Sequence, residues 1–402
     1  DELWQQGLVR AHDHQRYDFS HDRIREVAYL AVGPVQRPLW HRRVAAALED
    51  LYAVDLAPVS SQLAFHWEEA GEVERAIEYY RRAAEITHAL FADEETLNLL
   101  YRAWTLVEPL PTTRQNKERE LALLLQLRVP LMVARGYDEL TLGTIGLRAK
   151  ALAEEVGSRE QLFQALHCLR IFHQMRGAYH AARSTAEQMV ALADSKDPSL
   201  FVQAHLLLAH TLFYQGEFVS AQAHFDLLLQ FPPVPVQPLI FIAKTRWLFG
   251  YPEQAQQYAN LAMDTANREH QPHLLAFATI NLARLYYFMH QLGTMRQLVE
   301  KALTLDATSS NRLFLILVRL FQGRLWAEDG EIERGIEQIR AMLAKLDAKQ
   351  HAAFRTHFLG LLAEAYACAG QFAEALDTLH QALEFVERNG EGVWHAELVR
   401  LQ

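Results

Sequence analysis

Apolar positions repeat with helical spacing along nearly the whole chain, and a pair of small residues marks each repeat. A small residue and a glycine occur seven positions apart, at intervals of about forty residues. The pairs are Ala64/Gly71, Ala209/Gly216, Ala243/Gly250, Gly323/Gly330 and Ala363/Gly370, with Ala283/His290 in the same register. A small residue lets two helices cross closely, and a glycine adopts the left-handed conformation that ends a helix. The pattern therefore predicts stacked helical hairpins, because such units bury their apolar faces only against their neighbours.

The apolar spacing also predicts where each hairpin lies. We expect a helix over 39–52, a first clear hairpin over 59–90, and a helix over 94–107 that stops before two prolines. The unit over 114–156 is irregular, because Pro130 is expected to interrupt its first helix. The regular hairpins that follow are expected at 159–195, 198–231, 237–269, 272–306, 310–347 and 351–389, and a further helix begins near residue 393.

The first 31 residues follow a different pattern. Residues 1–7 are typical of the end of a helix, and residues 8–10 and 17–19 predict a short β-hairpin across a polar turn. Ser20 can cap the helix that follows. Helix, small hairpin and helix are together typical of the end of a winged-helix unit. The expected domains are 1–31 (end of a winged-helix unit), 32–110 (linking helices and first repeat) and 111–402 (repeat superhelix).

Composition narrows the partners that we expect. The chain has 402 residues and a formal net charge of −10, which disfavours nonspecific binding to nucleic acid or to an anionic membrane. The chain has only two cysteines, Cys168 and Cys368, which cannot alone make a disulfide framework, and this fits a reducing compartment. No secretory signal and no run of about eighteen apolar residues occurs. We therefore expect a cytoplasmic piece of a longer protein, with no membrane partner and no nucleic-acid partner.

The sequence lacks the motifs of common catalytic and metal sites. No nucleophile elbow, metalloprotease motif, paired-cysteine motif or phosphate-binding loop occurs. His205 and His210 lie five residues apart, which places them on different faces of a helix and spoils a shared metal site. We expect a non-catalytic chain with no metal and no cofactor.

The hairpins resemble tetratricopeptide repeats. The small–aromatic–glycine–aromatic–alanine pattern of that family occurs twice along the later repeats, although Leu212 stands where the family has an aromatic residue. The matching positions are Ala209, Leu212, Gly216, Phe218 and Ala221, then Ala363, Tyr366, Gly370, Phe372 and Ala375. The resemblance implies an all-α, tetratricopeptide-like α-solenoid of about eight helical hairpins, with a small winged-helix remnant at the N-terminus.

Three further segments resemble a more specific group of proteins. Residues 17–29 (YDFSHDRIREVAY), 39–45 (LWHRRVA) and 64–72 (AFHWEEAGE) are similar to the region after the nucleotide-binding domain of bacterial STAND-type signalling ATPases. That group includes MalT-like, LuxR-type and SARP-type transcriptional regulators and ATPases fused to adenylate cyclases. The resemblance implies a sensor arm that binds an inducer or a partner protein and also acts on its own nucleotide-binding domain.

In a tetratricopeptide hairpin, the position after the small residue of the first helix faces the concave groove, and this register predicts a binding site. Aromatic residues follow three and four positions later, and cations beside aromatic rings suit an anionic or aromatic ligand. The candidate site residues are His210, Lys244, Arg284 and Arg324, with Phe213, Tyr214, Trp247, Tyr287 and Phe288. Charge reversal at Arg284 and Arg324 is expected to abolish binding without lowering the melting temperature.

Other interpretations stay open at this stage. Aromatic residues at helical spacing also pack between helices, so individual members of the candidate site can be purely structural. The chain can be a general interaction scaffold whose groove binds acidic peptides rather than a small inducer. An enzyme would require a buried cluster of titratable residues that the sequence does not reveal.

Overall fold

The computed structural model describes residues 8–11, 17–90, 92–135, 140–193, 197–306, 312–348 and 350–402. Over these ranges the chain forms twenty α-helices and one two-stranded sheet. The chain divides into two compact units, Asp1–Thr112 and Thr113–Gln402. Among the described helices, none has the length and apolar character needed to cross a bilayer. The helix end expected at 1–7 and the turn expected at 12–16 lie outside the described residues.

The first unit begins with the predicted β-hairpin, which is confirmed. Strand β1 (Val9–Ala11) pairs antiparallel with β2 (Tyr17–Phe19). The winged-helix identity of this region stays a prediction. The five helices that follow are α1 (Asp22–Ala31), α2 (Gln36–Leu51), α3 (Ser60–Glu69), α4 (Val73–Ala89) and α5 (Asp93–Val107).

The second unit consists of consecutive antiparallel helical hairpins. Each first helix packs against its own second helix, and neighbouring hairpins stack in sequence order. The hairpins are α6 (Arg114–Arg135) with α7 (Leu140–Val156), α8 (Arg159–Met175) with α9 (Tyr179–Leu192), α10 (Pro198–Tyr214) with α11 (Phe218–Leu228), α12 (Val236–Leu248) with α13 (Pro252–Arg268), α14 (Pro272–Phe288) with α15 (Leu292–Asp306), α16 (Arg312–Glu328) with α17 (Ile332–Ala348), and α18 (Arg355–Cys368) with α19 (Phe372–Asn389). The last helix is α20 (His395–Leu401).

The turns within the hairpins confirm the predicted cap positions. The predicted glycines all have a φ between +71° and +91°, where a side chain would be strained. These glycines are Gly71, Gly216, Gly250, Gly330 and Gly370. His290, which replaces glycine in the same register, also has a positive φ, of +53°. The repeat therefore imposes its turn geometry even where the residue does not favour it.

The small residues of the repeat allow the helices to cross closely. Ala209, Ala243 and Ala283 are fully buried. In the α16–α17 hairpin, a Cβ atom added at Gly335 would lie only 2.5 Å from the carbonyl oxygen of Gly323. The two backbones therefore come nearer to each other than alanine would permit.

The expectation that Pro130 interrupts its helix is wrong, because α6 runs without a break from Arg114 to Arg135. The flanking residues Leu127 and Leu131 are almost fully buried, with exposed fractions of 0% and 1%. Burial of these side chains outweighs the cost of the backbone hydrogen bond that a proline cannot donate.

The C-terminal part of the second unit folds back onto the middle of that unit. The backbone amides of Ala352 and Ala353 donate hydrogen bonds to the carbonyl oxygen of Met175, over 2.8 and 3.2 Å. A Cβ atom added at Gly392 would come closer than 3.0 Å to the carbonyl oxygen of Gln215. Residues 350–358 and 391–394 thus lie over the turns that end α8 and α10, and we call these two stretches the closing segments.

Candidate binding site on the inner wall

Three of the four predicted cationic positions lie together, on the adjacent first helices α10, α12 and α14. We call the side of these helices that carries His210, Lys244 and Arg284 the inner wall. All three side chains are buried, with exposed fractions of 7%, 4% and 3%. The sequence register predicted an open groove at these positions. The structure differs, because the closing segments lie over the inner wall.

Lys244 is held on the inner wall by one hydrogen bond and one aromatic ring. Its Nζ atom donates to Oδ1 of Asn281 over 2.9 Å and lies 4.7 Å from the centre of the Phe241 ring. Burial holds the pKa of Lys244 well below its usual range, and the nearby Arg284 lowers it further. An anion placed here would oppose this lowering of the pKa and would gain a short ionic hydrogen bond.

Arg284 lies among aromatic rings, and the carboxyl group of Glu391 lies near enough for the guanidinium charge to lower its pKa. Its guanidinium carbon lies 4.7 Å from the ring centre of Phe354, with Phe358 and Phe321 at 5.9 and 6.0 Å. Cation–π contacts of this kind stabilise a guanidinium group without supplying an acceptor. The Nε atom of Arg284 is buried and has no hydrogen-bond partner among the described residues.

Two buried histidines lie near Lys244 and Arg284. His210 packs edge-on against Phe241, with ring centres 4.3 Å apart, and His357 lies 4.6 Å from the ring of Trp394. Burial lowers the pKa of both histidines well below the usual value, and Lys244 and Arg284 lower it further. Both side chains are therefore neutral at pH 7. His357 could not be predicted from sequence, because its position does not belong to the repeat register.

Sequence analysis also missed Glu391, the carboxyl group that faces this cluster. Glu391 is fully buried, and its Oε2 atom accepts a hydrogen bond from the amide of Thr356 over 3.2 Å. Burial raises the pKa of Glu391 to about 8, although the Thr356 amide, Arg284 and Tyr179 each oppose that rise. Its sequence context, between Gly390 and Gly392, is that of an ordinary exposed turn.

The predicted aromatic residues lie in two groups. Phe213 and Tyr214 are buried against Phe241, and the ring of Tyr214 lies 5.0 Å from Phe354. The second group continues along the wall. Trp247 lies 5.9 Å from Phe288, and Phe288 stacks on Trp394 with ring centres 4.3 Å apart and planes inclined by 17°. The closing segments therefore contact both groups.

Arg324 forms a separate ion-pair network. The hydroxyl of Tyr287 joins that network, although its ring lies 5.0 Å from Phe288 and 5.9 Å from His357. The Nε atom of Arg324 donates to Glu364 over 3.0 Å, and Nη1 donates to Glu328 over 2.7 Å. The hydroxyl of Tyr287 also donates to Glu364. Glu364 follows the small residue Ala363 and therefore occupies the same register as Arg324, whose charge it neutralises. The structure thus separates Arg324 from the cationic cluster of the inner wall.

Several buried polar atoms of the inner wall and the closing segments have no hydrogen-bond partner within the described residues. These atoms are Nδ1 of His210, Nε of Arg284, Nε2 of His357, Oε1 of Glu391 and Nε1 of Trp394. A buried polar atom without a partner costs about 1–3 kcal/mol. The closed arrangement is therefore unfavourable at these atoms, and a ligand that supplied partners would recover that free energy.

His205, whose spacing from His210 excludes a shared metal site, pairs with another histidine instead. Nδ1 of His205 lies 2.8 Å from Nδ1 of His224, so one histidine donates a hydrogen bond to the other. His210 lies on the inner wall instead. Across the ranges that the structure describes, no group of three or more metal-binding side chains is found.

Comparison with known proteins identifies the fold. A Rap protein complexed with competence and sporulation factor matches with a TM-score of 0.53 and 11% identity, over 81% of this chain and 97% of the Rap chain. The Cut9–Hcn1 hetero-tetramer of the APC/C matches with a TM-score of 0.41 and 13% identity, over 94% of this chain and 91% of that chain. No protein-family model matches the sequence, and no curated protein matches it. The chain has a tetratricopeptide-like helical solenoid fold, as the sequence predicts.

Proposed function

We propose that this chain is a non-catalytic protein-interaction module whose inner wall binds an acidic segment of a partner protein. The observation that carries this proposal is the convergence of Lys244 and Arg284 on a wall of aromatic rings, with a guanidinium nitrogen that lacks an acceptor. Carboxylates satisfy such groups through short, charge-assisted hydrogen bonds. The aromatic rings supply apolar area for the rest of a bound segment.

A polypeptide fits this wall better than a small inducer does. In the structure the wall is already covered by polypeptide, because Phe354 packs on Arg284 and Trp394 stacks on Phe288. The covering chain is fixed in part by backbone amides, those of Ala352 and Ala353. A partner segment can form contacts of the same kind. The Rap structure, which holds competence and sporulation factor, supports a solenoid of this fold as a binding module.

We further propose that the module is the sensor arm of a STAND-type signalling ATPase, with its own nucleotide-binding domain as a second partner. The sequence resemblance at residues 17–29, 39–45 and 64–72 supports this wider role. A bound segment would then switch the ATPase only if it bound the active state more tightly than the inhibited state. The test is ATP hydrolysis by the full-length gene product with and without an acidic peptide, and an unchanged rate at saturating peptide would contradict this role.

The two buried histidines of the inner wall are not suited to general-base catalysis. A general base works best when its pKa lies near the working pH. The pKa values of His210 and His357 lie well below that range because both rings are buried beside cations. These side chains are poor bases and serve better as polar contacts for a ligand.

The proposed function can be tested by fluorescence anisotropy with a fluorescein-labelled deca-glutamate peptide. The peptide is titrated into the natural chain and into a Trp394→Ala chain, whose inner wall has lost one covering ring. We expect the peptide to bind the Trp394→Ala chain. Adding Lys244→Met to that chain should weaken the affinity for the peptide about tenfold. Lys345→Met removes an equal charge from an exposed position of α17 and should leave the affinity unchanged. Absence of binding to both chains, or equal loss in both lysine variants, contradicts the proposal.

A further inference from the structure

The turn at residues 391–394 occupies the inner wall with two chemically distinct groups. The carboxyl of Glu391 lies near enough to Arg284 for the guanidinium to lower the pKa of the carboxyl. The ring of Trp394, three residues later, stacks on Phe288 at 4.3 Å and lies 4.6 Å from His357. The carboxyl group thus lies near the cationic part of the wall, and the aromatic ring contacts its aromatic part.

The backbone of the turn packs closely against the wall, but two of its buried polar atoms lack hydrogen-bond partners among the described residues. Gly392 approaches Gln215 so tightly that a Cβ atom would clash with the backbone carbonyl oxygen. By contrast, Oε1 of Glu391 and Nε1 of Trp394 are buried without hydrogen-bond partners in the residues that the structure describes. The turn therefore covers the wall without satisfying all of its own polar groups, which is unfavourable.

We propose that Glu391-Gly-Val-Trp394 is a built-in occupant of the inner wall, and that the partner displaces it with a segment that carries a carboxylate three residues before an aromatic ring. This inference rests on the proposed function and names the chemistry of its partner. A segment that is free to adjust can place its carboxylate on Arg284 and its ring on Phe288 while it also finds partners for its remaining polar atoms. The tethered turn competes at an effective concentration of about 1 mM. A partner present at a lower concentration must therefore bind the wall correspondingly more tightly than the turn does.

The proposal is tested with an eight-residue peptide of residues 389–396, acetylated, amidated and labelled with fluorescein. The peptide is titrated into four chains: the natural chain, Gly392→Ala, Trp394→Ala and Gly293→Ala. Gly392→Ala weakens the packing of the turn on the wall, because the added methyl group clashes with the backbone of Gln215. Trp394→Ala removes the ring that stacks on Phe288. Gly293→Ala is the matched control, because nothing lies within 4 Å of a Cβ atom added there.

We expect the peptide to bind Gly392→Ala and Trp394→Ala about tenfold more tightly than the natural chain and Gly293→Ala. Peptides carrying Glu391→Gln or Trp394→Ala should bind at least about tenfold more weakly than the parent peptide. Equal binding to all four chains, or equal binding of the Glu391→Gln peptide, overturns the proposal. If deca-glutamate binds but the eight-residue peptide does not, this inference fails while the proposed function stands. If neither binds, both fail.

A measurement on the natural chain keeps the test independent of how the variants fold. A large excess of unlabelled peptide should displace the turn and increase hydrogen exchange at the indole N–H of the chain's own Trp394, which is buried while the turn occupies the wall. Unchanged exchange at a peptide concentration well above about 1 mM, the tethered concentration, overturns the proposal.

Discussion

The backbone amide of Ala352 donates a hydrogen bond to the carbonyl oxygen of Met175 over 2.8 Å, which joins the loop before α18 to the C-terminal end of α8. Hairpins that are distant in sequence are therefore fixed to each other in the second unit. The repeat register predicts that His210, Lys244 and Arg284 lie on an open concave surface. In the structure these side chains are buried instead, because the chain folds back over them. The contact also makes access to the inner wall a question of conformational change.

Replacement of Glu391 with glutamine should change how stability depends on pH. The folded chain holds the pKa of Glu391 at about 8 through burial, whereas the carboxyl in the unfolded chain titrates at about 4.3. Between these values the folded chain binds the additional proton, so the natural chain loses stability as the pH rises. The loss is at most about 1.4 kcal/mol for each pH unit and ends near pH 8.

Chemical denaturation at pH 5, 6, 7, 8 and 9 measures this effect as a difference between the two chains. The contributions of His210, His357 and Lys244 are common to both chains to a first approximation and largely cancel. We expect Glu391→Gln to gain free energy of unfolding, relative to the natural chain, from pH 5 to about pH 8. A difference that stays constant over this range would show that the carboxyl is not buried in the folded chain.

Charge reversal at Arg324 should destabilise the chain, which corrects the expectation from sequence that the melting temperature would not fall. Arg324→Glu places a third carboxylate beside Glu364 and Glu328, in a site where the Arg324 side chain is only 11% exposed. We expect a loss of about 3 kcal/mol in the free energy of unfolding. Arg388→Glu, which breaks the exposed pair with Glu384, should cost at most about 1 kcal/mol. Equal losses in the two variants would contradict the buried network.

His290→Gly should stabilise the chain by about 1 kcal/mol, because the left-handed backbone at this position strains a side chain but not a glycine. Gly250→Ala provides the reverse experiment. Gly250 has a φ of +80° and open space around an added Cβ atom, so only backbone strain distinguishes alanine there. Thermal unfolding should show opposite shifts for the two variants. Shifts of the same sign would refute the shared cap geometry.

Gly335→Ala should lower the free energy of unfolding by about 1–3 kcal/mol, because the added methyl group meets the backbone of Gly323 and Ala327. Alanine at Gly293, which sits in a helix with open space around it, should instead raise stability by up to about 1 kcal/mol. Denaturant titration separates the two effects. If Gly335→Ala proved as stable as the natural chain, the close crossing of α16 and α17 would be wrong.

The repeat architecture could be predicted from sequence because each hairpin depends on local signals. Ala243 and Gly250, seven residues apart, set a helix crossing and a helix end within one unit. The continuity of α6 through Pro130 could not be predicted in this way. It depends on tertiary burial of the neighbouring leucines, and no local propensity encodes that burial.

The candidate site could be predicted only in part. The repeat register brought Lys244 and Arg284 to one wall, because equivalent positions in stacked hairpins are neighbours in space. It did not reveal Glu391 or His357, because these residues reach the wall through contacts between distant hairpins. For the same reason it placed Arg324 in the binding row, although Glu364 of the next hairpin neutralises that side chain.

The central claim is that an acidic segment binds the inner wall by displacing the closing segments. Amide hydrogen exchange of the natural chain, measured by NMR or mass spectrometry with and without saturating deca-glutamate, tests it most directly. The claim predicts that the amides of Ala352 and Ala353 exchange faster when the peptide is bound, because their hydrogen bonds to Met175 are released. Amide protection that is unchanged or increased at saturating peptide would contradict the claim.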